Sequence, residues 1–180
     1  YADVAKQIWG FAEVGYQEEK SSALLQASLA AAGFTIQKGV ADIPTAFVAT
    51  WGTGAPVIGI LGEFDALPGL SQEATPVKKP VVENGAGHGC GHNLFGTASM
   101  AAAVAIKEWL VANRRAGTVR FYGTPAEEGG SGKVYMVRAG LFSDVDTVIA
   151  WHPGDRNQVS ADTSLANITG KFRFRGVSAH

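Results

Sequence analysis

Val57-Ile58-Gly59-Ile60-Leu61 is apolar from end to end. A strand with apolar side chains on both faces must be covered on both, so this run predicts an interior, parallel strand. Two further runs read as strands: Thr118 to Gly123, and Thr147 to Trp151 as another buried one. Thr45 to Trp51 reads as another, set off from the first by the turn Gly52-Thr53-Gly54. Between them lie helical patterns. Leu24, Leu25, Leu29 and Ala32 share a face over residues 17 to 33, with Gly33 as the stop. An alanine-rich stretch opens near Asn93, a candidate cap, and runs to about Ala112. A short helix is expected over 131 to 140, ending at Gly140, and an irregular loop over 66 to 87. The alternation predicts an α/β/α sandwich around a mixed, largely parallel sheet.

Composition narrows what such a chain does. Hydrophobic residues make up 46% and charged residues 17%, which is globular usage, and the formal net charge is -1. A chain so balanced carries no electrostatic footprint for nucleic acid or a membrane surface. Hydropathy suggests no apolar run long enough to span a bilayer and no secretory signal. The single cysteine, Cys90, leaves no intramolecular disulfide to form, and a cytoplasmic setting is expected. Asn167-Ile168-Thr169 matches a glycosylation acceptor by chance in that setting. Both ends read as cut from a longer chain: Tyr1 lies inside a helical pattern, and His180 follows directly on a strand-like run.

The chemistry-bearing residues sit beside glycine or proline at the ends of these elements. They are Gly87-His88-Gly89-Cys90-Gly91-His92-Asn93, Thr124-Pro125-Ala126-Glu127-Glu128-Gly129-Gly130 and Trp151-His152-Pro153. A fourth segment, Gly62-Glu63-Phe64-Asp65, follows the strand that ends at Leu61. Cys90 and His92 precede a helix, and the other segments follow the carboxyl ends of strands, outside which ligands of open α/β sheets gather. A thiolate, imidazoles and carboxylates together suit a transition-metal site. Adjacent carboxylates in a bent segment can divide labour, one binding metal and the other taking a proton. Taken singly, each piece has a plainer reading: a structural cysteine, a solvated Glu127-Glu128 pair, a turn aspartate at Asp65. Cys90 as a nucleophile, with His88, His92 or His152 as base, is the rival enzyme reading, and it leaves the two glutamates without a role. The run Glu128 to Val134 fails as a phosphate loop, because Glu127 stands where its first glycine belongs and Val134 replaces the Ser or Thr.

Together with Gly62-Glu63-Phe64-Asp65-Ala66-Leu67-Pro68, these segments resemble the amidohydrolase branch of the aminoacylase and carboxypeptidase-G metallopeptidase superfamily. Within it they are most similar to one of the two groups of aminobenzoyl-glutamate utilization proteins, above all over Phe121 to Lys133. Phe11-Ala12-Glu13-Val14-Gly15-Tyr16-Gln17-Glu18-Glu19 resembles the family's entry to its first long helix. The resemblance implies a phosphorylase/hydrolase-like catalytic domain over 1–165 and the beginning of an inserted lid domain over 166–180. It places Cys90, His92, Glu128 and His152 on the family's metal ligands, Glu127 on its general base and Asp65 on a supporting carboxylate. His180 falls on a residue that reaches the substrate of a neighbouring copy, and a further histidine ligand is expected beyond the chain. Two departures are Asn93 and Glu63, where relatives carry Asp. The implied chemistry is hydrolysis of p-aminobenzoyl-glutamate, or of another N-acyl amino acid or dipeptide. One or two divalent ions would serve it, manganese first and zinc as the alternative. Implied partners are a second copy, joined through the lid into a homo-oligomer, and a related chain from the other of the two groups. A non-catalytic metal-binding component of a larger complex is the remaining alternative. Independently of the resemblance, Lys171 to Arg175 alternates basic and aromatic residues and predicts a half-exposed strand.

Overall fold

The computed structural model describes residues 1–159, 163 and 165–177. Its sheet contains β1 (Thr35–Lys38), β2 (Phe47–Thr53), β3 (Val57–Gly62), β4 (Gly117–Gly123) and β5 (Thr147–Ile149), in the spatial order β1-β2-β4-β3-β5. β3 pairs in parallel with β4 and β5, as its uninterrupted apolar run requires. β2 pairs antiparallel with β1 and β4, so the sheet is mixed. β2 and β3 adjoin in sequence, yet β4 lies between them.

Period-two alternation along β4 sorts its side chains into two cores. Val119 and Phe121 face one side, with Phe47, Ala49 and Ile60. That side is covered by α1 (Ala2–Phe11), α2 (Glu19–Ala31) and α3 (His92–Ala112), which contribute Ile8, Leu25, Leu29, Met100 and Ala103. Tyr122 and Val48 face the other side, under Val40 of a short 3-10 turn (Val40–Asp42), Ile43 just after it, and Met136 of a helix over Gly132–Arg138. The Tyr122 ring stacks on Phe142 at 4.4 Å between centroids, and its hydroxyl donates to the Leu141 carbonyl. The α/β/α sandwich is therefore real.

Several expectations need correction. α3 is capped by Gly91 in the left-handed conformation; Asn93 lies inside the first turn, and its amide donates to the Ala5 carbonyl. β5 is an exposed edge strand, because only β3 flanks it among the described residues. Lys171 to Arg175 pairs with no strand among the described residues, and Phe172 and Phe174 are 84% and 92% exposed. A strand needs a neighbour for its hydrogen bonds, and the alternating pattern alone supplies none. β1 is not announced by its residues, since Thr35-Ile36-Gln37-Lys38 is short and mostly polar. Finally, α3 is long and apolar enough by length and composition to cross a membrane. It packs against β3 and β4, and burial of that face accounts for much of its apolarity.

Gly96 fixes how closely α3 approaches the sheet. A Cβ there would stand 2.7 Å from the Glu63 carbonyl oxygen. Gly96→Val should therefore push the first turn of α3 outward and destabilise the fold by about 1–3 kcal/mol, the usual cost of overpacking. Urea unfolding measures it, and an unchanged midpoint would show that the helix approach is not tight.

Candidate metal centre

The centre lies where β3, β4 and β5 end and α3 begins. β3 runs out at Gly62, whose carbonyl accepts from both the amide and the hydroxyl of Thr124 beyond β4. This pins the two strand exits together, so Glu63 and Asp65 emerge beside Glu127 and Glu128. Residues i and i+2 of an extended segment share a side, which turns Glu63 and Asp65 the same way. Next comes α4 (Glu127–Gly130), a single distorted turn introduced by Ala126 in the left-handed conformation, φ 56°.

His92, the first residue of α3, is fully buried at the focus. Its Nδ1 lies 2.9 Å from Asp65 Oδ1, which accepts the ring proton. Its Nε2 lies 2.9 Å from Glu63 Oε2 but is not aligned to bond to it, and both atoms lack a hydrogen-bond partner among the described residues. The other Asp65 oxygen accepts the Glu128 amide at 2.9 Å. Glu63 Oε1 accepts from Lys133 Nζ at 2.5 Å. On the open side, Cys90 Sγ stands 3.3 Å from His152 Nε2, while His152 Nδ1 lies 3.0 Å from the Pro153 carbonyl oxygen. Gly91 makes this approach possible, since a Cβ there would meet the Pro153 ring at 2.9 Å. His92 and His152 meet edge to face, 5.5 Å between ring centroids.

Two donor sets result, each with its ligating atoms within 4.8 Å of one another: Cys90, His92 and His152, and Glu63, His92 and Glu127. Glu128 belongs to neither set. Its Oε1 is buried without a partner among the described residues, 3.9 Å from His92 Nδ1. The sequence reading missed Glu63 as a donor and Lys133 as its counter-ion. Spacing offered the one available signal, because Glu63 precedes Asp65 by two residues at a strand exit. His88 stands apart, buried against the Ile8 carbonyl, and burial lowers its pKa to about 4, so it is neutral. His180 lies outside the described residues.

The electrostatics call for a cation. Burial disfavours a charge on His92, but the hydrogen bond to Asp65 and the nearby carboxylates of Asp65 and Glu63 outweigh it and raise its pKa to about 10. Burial pushes the Cys90 thiol up to about 11, with Glu128, Glu127 and Glu63 adding to the rise. Glu128 is raised as well, chiefly by burial. Burial also works against Glu63, yet His92 and Lys133 hold its pKa below the ordinary value. These shifts are opposite to what a free cysteine nucleophile needs, which is a depressed thiol pKa. They do fit a divalent transition metal: soft and borderline donors converge, and buried atoms among them lack hydrogen-bond partners among the described residues. Asp65 would orient His92 from behind, leaving Nε2 as the ligating atom.

Comparison with known proteins points the same way. The profile of the peptidase family M20/M25/M40 matches residues 59–168. The chain is 51% identical to one of the subunits of the p-aminobenzoyl-glutamate hydrolase of Escherichia coli, over 100% of its own length and 38% of that protein's. It is 32% identical to the Xaa-Arg dipeptidase of Mus musculus, covering 94% of the chain and 38% of the relative. Among solved structures, a dinuclear metal-binding peptidase of the M20 family from Bacillus subtilis superposes with a TM-score of 0.68. It is 26% identical, and the match covers 85% of this chain and 42% of that one. An aminobenzoyl-glutamate utilization protein from Klebsiella pneumoniae shares the fold, with a TM-score of 0.61 at 18% identity over 85% of this chain and 43% of that one. The chain thus spans 38% of the length of these curated relatives.

Two measurements follow from this geometry. In metal-free protein at pH 8, Cys90 should alkylate on the order of a hundredfold more slowly than an unperturbed thiol. Its rate should climb with pH toward about 11; a rate equal to that of a simple thiol at pH 8 would remove the carboxylates' hold on Cys90. Asp65→Asn should weaken divalent-metal affinity about 10- to 100-fold, as loss of an orienting carboxylate does, and titration with Co2+ reads it.

Proposed function

Since the chain belongs to the peptidase family M20/M25/M40, we propose that it carries most of the metal centre of an amidohydrolase acting on p-aminobenzoyl-glutamate. The observation that carries the reading is the buried Nε2 of His92, without a hydrogen-bond partner among the described residues and facing a cysteine, a second histidine and the Glu63–Glu127 carboxylates. The substrate rests on the 51% identity to the Escherichia coli hydrolase. Other N-acyl amino acids and dipeptides form the wider class, in keeping with the dipeptidase relative.

Cys90, His92 and His152 would hold the ion, with Glu128 closing the set from the α4 turn. An ion bound there supplies Lewis acidity, polarising a scissile carbonyl and acidifying water at neutral pH. The chain's own residues do the rest. Glu127 is half-exposed at the mouth, 3.9 Å from His92 Nε2, so its carboxylate reaches solvent and the metal donors at once. It takes a proton from water attacking the carbonyl and returns that proton to the leaving amine nitrogen. Asp65 holds the His92 tautomer. Lys133 neutralises Glu63, which keeps that carboxylate charged beside His92. Manganese is proposed as the working ion and zinc as the alternative. The thiolate from Cys90 favours zinc, whereas the neighbouring carboxylates suit manganese. Residues 166–180 are assigned to a lid that joins two copies, His180 to its substrate contact and the whole to the cytoplasm. A related chain of the second aminobenzoyl-glutamate utilization group is the proposed further partner.

In the full-length protein, Glu127→Gln should retain metal and lose at least about a hundredfold in turnover, the contribution of a positioned base. Release of p-aminobenzoate reads it. Release that a chelator abolishes and Mn2+ restores supports the substrate and the metal together. Full turnover in the glutamine variant would remove Glu127 from the base role.

A further inference from the structure

Glu18 is fully buried at the start of α2, and among the described residues it makes no ion pair. A buried carboxylate must be hydrogen-bonded to be tolerated. Both its oxygens are used: Oε1 accepts the Ala126 amide at 2.8 Å, and Oε2 accepts the Thr45 hydroxyl at 3.0 Å. Ala126 is itself buried, holds a left-handed backbone conformation and immediately precedes Glu127. An alanine in that region is strained, and its surroundings must impose the conformation.

The residues before Glu18 grip the same turn. Gly15 lies so close that a Cβ would stand 3.0 Å from the Cα and Cβ of Ala126. The Tyr16 hydroxyl donates to the Gly130 carbonyl at 2.5 Å, at the far end of α4. Glu13 uses its carbonyl to accept the Ala66 amide, next to Asp65, and Val14 forms a bridge with Ala66. The Glu13 side chain meanwhile caps α2 through the amides of Lys20 and Ser21. Segment 13–18 thus touches both acid-bearing turns, the one with Asp65 and the one with Glu127 and Glu128.

We propose that Glu18 is a positioning residue for the hydrolytic reaction: by binding the Ala126 amide it fixes the left-handed turn that presents Glu127 and Glu128 to the metal donors. This rests on the hydrolase reading given above. Glu18 belongs to neither donor set and bonds to Ala126 and Thr45, so its effect runs through the α4 turn. Glu18→Gln keeps an oxygen for the Ala126 amide, and the Thr45 hydroxyl can rotate to accept from the new amide group. Glu18→Ala leaves the Ala126 amide buried without a partner.

The test compares Glu18→Ala and Glu18→Gln in the full-length protein by hydrogen exchange over residues 124–132 and by steady-state kinetics on p-aminobenzoyl-glutamate. In Glu18→Ala, exchange at Ala126 should rise about ten- to a hundredfold, the weight of one hydrogen bond to a charged group. kcat should fall by a similar factor with KM little changed, since misplaced catalytic groups cost rate before binding. Glu18→Gln should stay within about threefold of the parent in both, as expected of a neutral hydrogen bond replacing a charged one. Unchanged exchange at Ala126 in folded Glu18→Ala overturns the proposal. So does raised exchange with an unchanged kcat, or a Glu18→Gln variant as impaired as Glu18→Ala. If Glu18→Ala does not fold, Thr45→Val removes the support on Oε2 and carries the same comparison, with the same overturning results. A parent protein that releases no product fails the hydrolase reading instead, and the exchange comparison then decides the Glu18 contact by itself.

Discussion

The Asp65–His92 pair is the contact on which the centre is built. It ties the exit of β3 to the first residue of α3, and both partners are completely inside the protein. A pair so placed is costly to break, because either group left alone would be a buried polar atom without a partner. Asp65 is shared further: its second oxygen takes the amide of Glu128, so one carboxylate aligns the histidine and the α4 turn together. Moving α3 by a fraction of a turn would therefore move two donors, which is why a glycine at position 96, against the Glu63 carbonyl, sits where helix and strand come closest.

Charge explains why these groups are assembled at all. Glu63, Asp65, Glu127 and Glu128 surround one histidine and one lysine. Left to itself, the cluster recruits protons: His92 is held cationic, and the Cys90 thiol and Glu128 hold theirs above their ordinary values. A divalent cation held by these donors would relieve that crowding, taking the place of the protons on His92 Nε2 and on the thiol, and metal binding of this kind is coupled to proton release. The same surplus of carboxylates that makes Cys90 a poor free nucleophile would be offset by a cation bound beside it.

Much of this was legible in the sequence, though unevenly. The uninterrupted apolar run of β3 announced a parallel interior strand, and the helical spacing of Leu25 and Leu29 announced α2. Cys90, His92 and His152 were picked out because glycine or proline flanks each of them, and the fold brings them within reach of one another. Pairing partners were less readable. Nothing local says that β4 lies between β2 and β3, because strand order is settled by which faces bury best across the whole sheet. The exposed course of Lys171 to Arg175 makes the same point from the other side: alternation alone does not pair a segment with a neighbour. Glu63 and Lys133 were overlooked because their partnership joins residues 70 apart in the chain, and the glycine that precedes each of them says nothing about that partner.

Long-range pairing also explains why the carboxylates are held by residues so distant in sequence. A loop that must present two acids next to a histidine gains nothing from its own contacts, since like charges repel and glycine-rich turns are entropically loose. Order has to be imposed from outside the loop. Here the Thr124 bonds to Gly62 fix where the turn begins, the Tyr16 hydroxyl fixes where it ends, and Glu18 holds the strained residue between. The cost of one left-handed alanine, about 1–2 kcal/mol, is set against the placing of Glu127, whose carboxylate lies within 4.8 Å of donor atoms of Glu63 and His92.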